Sequence, residues 1–431
     1  MALSSVELCP KPSISFGQVS IPKTSKLKSQ SQSRRSASIF AAPAVNKAIK
    51  SAKTSSILAH FWREIQGFNN WENLVEPLHF LLRQEIIRYG EFVAACYKAF
   101  DLDAKSERYL SCKYGKKSMF REIGMENSGY EITKYIYATA DVTIPIHNST
   151  SCGRWIGYVA VSSDESVRRL GRRDIVIAFR GAVTHLEWAA NLMSSLTPAR
   201  LDPHNPRPEV KVESGFMSLY TTNENNKFGL RSCREQLFSE IWRLLNKYKG
   251  EEMSITLAGH SMGSSLALLL AYDVAESGLN SIIDNHSEIP VTVFSYAGPR
   301  VGNAGFKQRC QQLGVKVLRI VNSNDPITKL PGFFFNENFR VLGGTTYEFP
   351  WSYAHVGVEV VLDFFNMQNP SCVHDLEAHI SLLKCPNPVE IQREGVGLLK
   401  KAREWLLMLK VLTWLKFVAD NMLSSLVPIN S

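Results

Sequence analysis

The 431-residue chain lacks any uninterrupted apolar run of about 18 residues, so no membrane-spanning helix is expected from it. The nearest approach, Trp405 to Val418, is broken by Lys410, Thr413 and Lys416. CxxC pairs are missing too: the eight cysteines show no regular spacing, and one of them, Cys9, falls within the first fifty residues. Neither a disulfide framework nor a zinc site is expected, and the other thiols read mostly as small core hydrophobes. Acid is absent between Glu7 and Glu64. Residues 1–50 instead hold eight Lys/Arg and eleven Ser, the composition of an organelle transit peptide. A secretory signal would need an apolar stretch of about 7 to 15 residues, and Ser, Lys, Gln or Pro interrupts every candidate. Ser richness and the Met-Ala start favour the chloroplast over the mitochondrion. The leader carries most of the formal +9 charge, leaving 41 basic against 39 acidic residues, so the body has no net excess from which to build a nucleic-acid-binding face.

The whole chain is 45% hydrophobic and 21% charged, with 26 Gly and 19 Pro, which excludes wholesale disorder, collagen and coiled coil. From about Ile57 to Ala104 apolar residues recur at three- and four-residue steps (Leu74, Leu78, Leu81, Leu82, Ile86, Ile87), predicting a helical N-terminal segment. Beyond it, apolar strands are expected at Trp155–Val161, Asp174–Phe179, Ser254–Leu257, Val291–Phe294 and Val315–Val321. Helices fall between them at Leu237–Leu245 and Leu266–Val274. This alternation predicts an α/β fold with a mostly parallel central sheet. Three parts are expected: a leader over 1–50, an α/β domain over 51–390 with its helical N-terminal segment, and an amphipathic helical extension over 391–431.

The sharpest local feature is Gly259-His260-Ser261-Met262-Gly263, set between an apolar strand and a helix rich in Leu and Ala. This is the order a nucleophile elbow needs, with Gly259 and Gly263 letting strand and helix approach around a strained turn. Ser261 is the expected nucleophile. The backbone N–H of Met262, at the start of the helix, is placed to bind a developing oxyanion, and a second donor is expected from the loop after Asp174–Phe179, at Ala182. Such chemistry takes an acid and a base in the chain order Ser, acid, His. Asp325 ends a strand directly before Pro326, although an Asp before Pro is also an ordinary turn signal. Three histidines follow. His379 lies inside the helical pattern of Leu376, Ile380 and Leu383 and reads as packed; His374 stands at the start of that helix after a breaker; His355 remains the alternative. Asp273, Glu276 and Asp284 read as solvated acids, His185 and His286 as surface groups, His260 as a packing and hydrogen-bonding neighbour of Ser261. Phe333 to Phe335 could line an acyl site or fill core.

Phe179-Arg180-Gly181, His185-Leu186-Glu187-Trp188, the elbow, and Tyr296 to Asn303 (YAGPRVGN) together resemble the class 3 lipases. With the leader, Trp62 to Gly67 (WREIQG), Asn69-Asn70-Trp71 and Arg88-Tyr89-Gly90-Glu91, the chain is similar to the plant chloroplast class I phospholipase A1 group. The resemblance spans about residues 57 to 390 and implies an α/β-hydrolase fold. It also implies a triad of Ser261, Asp325 and His374, the last matched by His374-Asp375-Leu376-Glu377, whereas Tyr353-Ala354-His355 resembles a structural segment of fungal relatives. Where the family usually has Thr or Ser after FRG, this chain has Ala182. The resemblance further implies a lid helix over about 184–200, and release of a fatty acid, at the sn-1 position, from a phospholipid or galactolipid. That product could feed oxylipin synthesis. No metal or cofactor is implied. The Lys400, Lys401 and Arg403 cations, with Trp405 and Trp414, would suit contact with an anionic plastid membrane or lipid-droplet surface. Two rival readings are a catalytically silent lipase-like scaffold and an acyltransferase using the same residues.

Overall fold

A computed structural model of the chain describes residues 57–139, 153–183, 195–202, 206–223, 231–281, 288–332, 352–366 and 369–385. The leader, His185, Asp284, His286, Phe333 to Phe335 and the carboxyl-terminal extension lie outside them. Among the described residues the strands, in chain order, are β1 (Tyr130–Ala138), β2 (Arg154–Ser162), β3 (Arg173–Phe179), β4 (Leu196–Pro198), β5 (Lys211–Glu213), β6 (Met253–His260), β7 (Val291–Tyr296), β8 (Gly302–Asn303), β9 (Lys316–Asn322), β10 (Tyr353–Ala354) and β11 (Val358–Leu362). Besides a helical stretch at residues 57–65, the helices are α1 (Phe80–Ala99), α2 (Met119–Glu122), α3 (Asp164–Leu170), α4 (Ser214–Thr221), α5 (Cys233–Lys247), α6 (Met262–Glu276), α7 (Ala304–Gln312) and α8 (Leu376–Lys384).

Seven strands form one sheet in the order β1-β2-β3-β6-β7-β9-β11. The β1–β2 and β2–β3 pairs are antiparallel, and the remaining four neighbours are parallel. Parallel strands joined by helical crossovers are covered on both faces, which is why β3 carries the apolar run Ile175 to Phe179 and why β3 and β6 are buried along their whole lengths. The period of two divides them between two cores. Ile175, Ile177, Phe179, Ile255 and Leu257 face the cluster built with α5 and α6, while Val176, Ala178 and Ala258 face the one built with α1 and α8. Helix α6 is buried at every residue from Met262 to Val274, as expected of a helix apolar all round. Ser232 closes the start of α5 with a capping box to Glu235. This is the expected α/β-hydrolase fold.

The N-terminal segment is helical as expected, at residues 57–65 and in α1, and between them Asn70, Trp71 and Asn73 take positive φ. Two expectations are corrected. Of the expected lid, residues 184–194 lie outside the described ones, but β4 at Leu196–Pro198 is a strand. It belongs to a second, antiparallel sheet in the order β10-β8-β5-β4. Asp273 is not a solvated acid: it is 1% exposed, accepts from the Tyr220 hydroxyl at 2.8 Å and pairs with Arg234 at 2.7 Å. Glu276 likewise pairs with Arg207 and Arg309. Of the thiols, Cys96, Cys112, Cys233 and Cys310 are buried and unbridged, as expected of core residues.

Helix α1 is pinned to the sheet by a buried polar network. Asp174 accepts from the hydroxyls of Tyr89, Tyr130, Ser254 and Thr256, at 2.6 to 2.9 Å. Burial alone would raise its pKa, but Arg172 and Arg88 hold it below the ordinary carboxylate value. Pinning the helix in this way carries its last turn to the carboxyl edge of the sheet, beside the elbow.

Candidate active site

The turn after β6 puts Ser261 at φ 54° and ψ −125°. Such a backbone costs about 1–3 kcal/mol for a residue with a Cβ and persists only where the surroundings impose it. Here they do. The Ser261 N–H donates to the Tyr296 carbonyl at 2.9 Å, and the Ser264 hydroxyl donates to the Gly259 carbonyl at 2.6 Å, tying the first turn of α6 back to its strand. A Cβ at Gly259 would overlap the Gly263 carbonyl oxygen, and one at Gly263 would lie 2.5 Å from that of Arg180. Both glycines are therefore demanded by the close approach of strand, helix and neighbouring loop.

His374 ends the short 3-10 turn Pro370–His374. Its Nε2 lies 3.0 Å from Ser261 Oγ and its Nδ1 lies 2.7 Å from Asp325 Oδ2. Asp325, wholly buried after β9, also accepts the Ile327 N–H on Oδ1 at 2.9 Å. Sequence reasoning named these three residues, and the structure brings them together. The other two histidines stand apart from Ser261. His379 is fully buried on α8, its Nδ1 2.7 Å from the Asp375 carbonyl oxygen, and its ring meets that of Phe364 edge-on. His355 lies 2.9 Å from the Thr328 carbonyl oxygen, and burial, with Arg319 and Arg300 nearby, pushes its pKa down to about 2.

Of the two expected oxyanion donors, Met262 opens α6 immediately after the nucleophile, and Ala182 follows Gly181, where a Cβ would fall 3.0 Å from that of Ser261. The loop is held from below: Arg180, fully buried, donates through Nε to the Trp155 carbonyl at 2.9 Å and through Nη1 to the Gly181 carbonyl at 2.8 Å. Its guanidinium carbon sits 4.1 Å from the Phe100 ring centroid. Sequence reasoning missed Tyr97, in the last turn of α1. Its hydroxyl is 2.7 Å from both the Gly181 nitrogen and His260 Nδ1. No periodicity marks it, because its partners lie 84 and 163 residues away. Among the described residues no cluster of His, Cys, Asp or Glu could hold a metal ion, and no helix is long and apolar enough to cross a membrane.

A serine at a strained elbow over a parallel sheet, in line with an imidazole and a carboxylate, defines a serine hydrolase of the α/β type. The family described as Lipase (class 3) matches residues 176–335. Over 335 residues the chain is 69% identical to the galactolipase DONGLE, chloroplastic, of Arabidopsis thaliana, covering 76% of this chain and 71% of that one. It is 56% identical to the phospholipase A1 EG1, chloroplastic/mitochondrial, of Oryza sativa subsp. indica, covering 82% of both. Among solved structures, a lipase from Rhizopus microsporus var. chinensis is similar at 18% identity and a TM-score of 0.42, over 66% of this chain and 75% of that one. The chain belongs to the class 3 lipase family and is a carboxylic ester hydrolase that acts on lipids.

Proposed function

We propose that the chain is a plastid acyl hydrolase that releases a fatty acid, at the sn-1 position, from phospholipids and galactolipids, working at the membrane surface through its own triad. The observation that carries this reading is the hydrogen-bonded line from Asp325 through His374 to Ser261. His374 Nε2 takes the Ser261 proton as Oγ adds to the ester carbonyl, and Asp325 stabilises the imidazolium. The N–H groups of Ala182 and Met262 bind the oxyanion. Collapse of the tetrahedral intermediate transfers the proton to the departing glycerol oxygen and leaves an acyl-serine. Water, deprotonated by the same imidazole, then frees the fatty acid and restores the hydroxyl. This sequence uses no cofactor or metal. The leader over residues 1–50, together with the chloroplastic relatives, supports the plastid assignment.

The test is fatty-acid release from mixed galactolipid and phospholipid vesicles by the wild type and by Ser261→Ala. Release by the wild type that falls by about 10⁴-fold or more in the variant is expected. No release from either removes the hydrolase reading and leaves the scaffold one, and equal release by both removes Ser261 as the nucleophile. Acyl esters of an added alcohol, formed in place of free acid, would mark acyl transfer.

A further inference from the structure

Three groups outside the triad are joined in one line beneath Ser261. The Gly181 N–H donates to the Tyr97 oxygen at 2.7 Å, so the single hydroxyl proton of Tyr97 is left for His260 Nδ1, also at 2.7 Å. His260 then carries its ring proton on Nε2, which lies 2.8 Å from the carbonyl oxygen of His374. The line thus starts at the amide next to Ala182, passes under the nucleophile through the residue that precedes it, and ends on the main chain of the base. We propose that Tyr97 and His260 are positioning residues that hold the Ala182 oxyanion donor and the His374 imidazole in register on opposite sides of Ser261.

The geometry requires such a device. The Gly181–Ala182 peptide is planar and trans, so its C=O and N–H point opposite ways. With the carbonyl fixed on Arg180 Nη1, the Ala182 N–H is aimed away from that guanidinium, and its direction depends on how firmly the Gly181 unit is held. Arg180 grips that unit at the oxygen and Tyr97 at the nitrogen. The side chain at 182 is a methyl and brings no hydroxyl of its own, so the loop relies on this grip to stay within about 0.5 Å of a productive position. On the other side, the His260 and His374 rings pack at a tilt of 43° with centroids 4.9 Å apart, and the bond to the His374 carbonyl fixes the chain from which the catalytic ring projects. Both linking groups stay neutral: burial, aided by the nearby His374, keeps the His260 imidazole well below its ordinary pKa, and burial raises the Tyr97 phenol. A charged His260 would oppose the His374 imidazolium that forms during turnover.

The inference rests on the triad assignment above, and the experiment separates the two. The full chain is assayed on 4-nitrophenyl butyrate, a soluble ester that keeps lipid-surface binding out of the rate, for the wild type, Ser261→Ala, Tyr97→Phe, His260→Asn and His260→Gln. Asn can keep the acceptor for Tyr97, and Gln can keep the donor to His374. Tyr97→Phe is expected to lower kcat about 3- to 10-fold with KM within about twofold, the worth of one well-placed hydrogen bond. Its rate of inactivation by a phosphonate ester should fall in parallel, because the phosphonyl oxygen needs the same N–H groups. Each His260 variant keeps one of the two bonds and should likewise lose kcat, not KM. A Tyr97→Phe enzyme with wild-type kcat and a wild-type phosphonylation rate overturns the proposal, whatever its melting temperature, and so does a loss confined to KM. Substantial activity left in Ser261→Ala overturns the triad assignment instead.

Discussion

Asp325→Asn is the substitution whose outcome the hydrogen-bond geometry determines most fully. The carboxylate has two oxygens with two fixed partners: Oδ1 accepts from the Ile327 N–H at 2.9 Å and Oδ2 from His374 Nδ1 at 2.7 Å. An amide replacing it has one acceptor and one donor. The Ile327 N–H can only donate, so the amide oxygen must face it, which turns the amide NH2 toward His374 Nδ1. That NH2 needs an acceptor, which drives the imidazole proton to Nε2, the nitrogen 3.0 Å from Ser261 Oγ. A protonated Nε2 cannot accept the serine proton. The wrong tautomer in this kind of triad costs about 10⁴-fold in kcat, or about 5 kcal/mol at the transition state. The assay is kcat on 4-nitrophenyl butyrate near neutral pH, with the melting temperature as a check on folding, since the swap removes a buried charge while preserving shape. A folded Asp325→Asn enzyme with kcat within tenfold of wild type would refute the reasoning, because a base indifferent to its Nδ1 partner is not oriented by Asp325.

Other expectations follow from the packing. Gly259→Ala drives a methyl into the Gly263 carbonyl and should cost about 3 kcal/mol or more of stability, read from the urea midpoint. Asp174→Ala takes from the fully buried Arg172 one of its two carboxylate partners, leaving Glu85 at 4.0 Å, and removes the acceptor of four hydroxyls; breaking such a buried pair costs about 3–5 kcal/mol, read in the same denaturation experiment. The buried imidazoles make stability depend on acid. With His355 at about 2 folded and about 6.5 unfolded, the unfolded chain binds the extra proton between those values. Its contribution is intact above about pH 6.5 and is lost as pH falls toward 2; His260 and His379, lowered by burial as well, act in the same direction. His355→Gln should therefore show a smaller drop in melting temperature between pH 7.5 and pH 5 than the wild type, and an equal or larger drop would count against the assignment.

The central strands and the elbow were legible because each is specified locally. A parallel strand covered on both faces reads as an apolar run, and Gly259 to Gly263 carries its own turn requirement within five residues. Strand β1 was not legible. Its pairing with β2 shifts register between Ile132 and Lys134 and again between Ile136 and Tyr137, which breaks the alternation that would have marked it. The second sheet is made of strands of two or three residues, too short for any periodicity. Asp273 was misread for a related reason. A carboxylate on a helix looks solvated in sequence, and its partners come from α4 and α5, whose approach only the tertiary fold defines. Tyr97 was hidden in the same way, since nothing local distinguishes a tyrosine at a helix end that touches a loop from one that touches water.

Helices α1 and α8 pack against each other, with a Cβ at Gly90 only 3.1 Å from Ile380 and Arg83 Nε donating to the Leu383 carbonyl at 2.5 Å. During synthesis the amino-terminal partner of this pair leaves the ribosome nearly three hundred residues before the other. A nascent chain extending only through Asp325 already contains its serine and its carboxylate but no proton acceptor for them. The imidazole arrives with the final turn before α8, and docking of that helix onto the long-waiting α1 seats it. Lipolytic competence is thus acquired only once α8 has been made and has packed against α1.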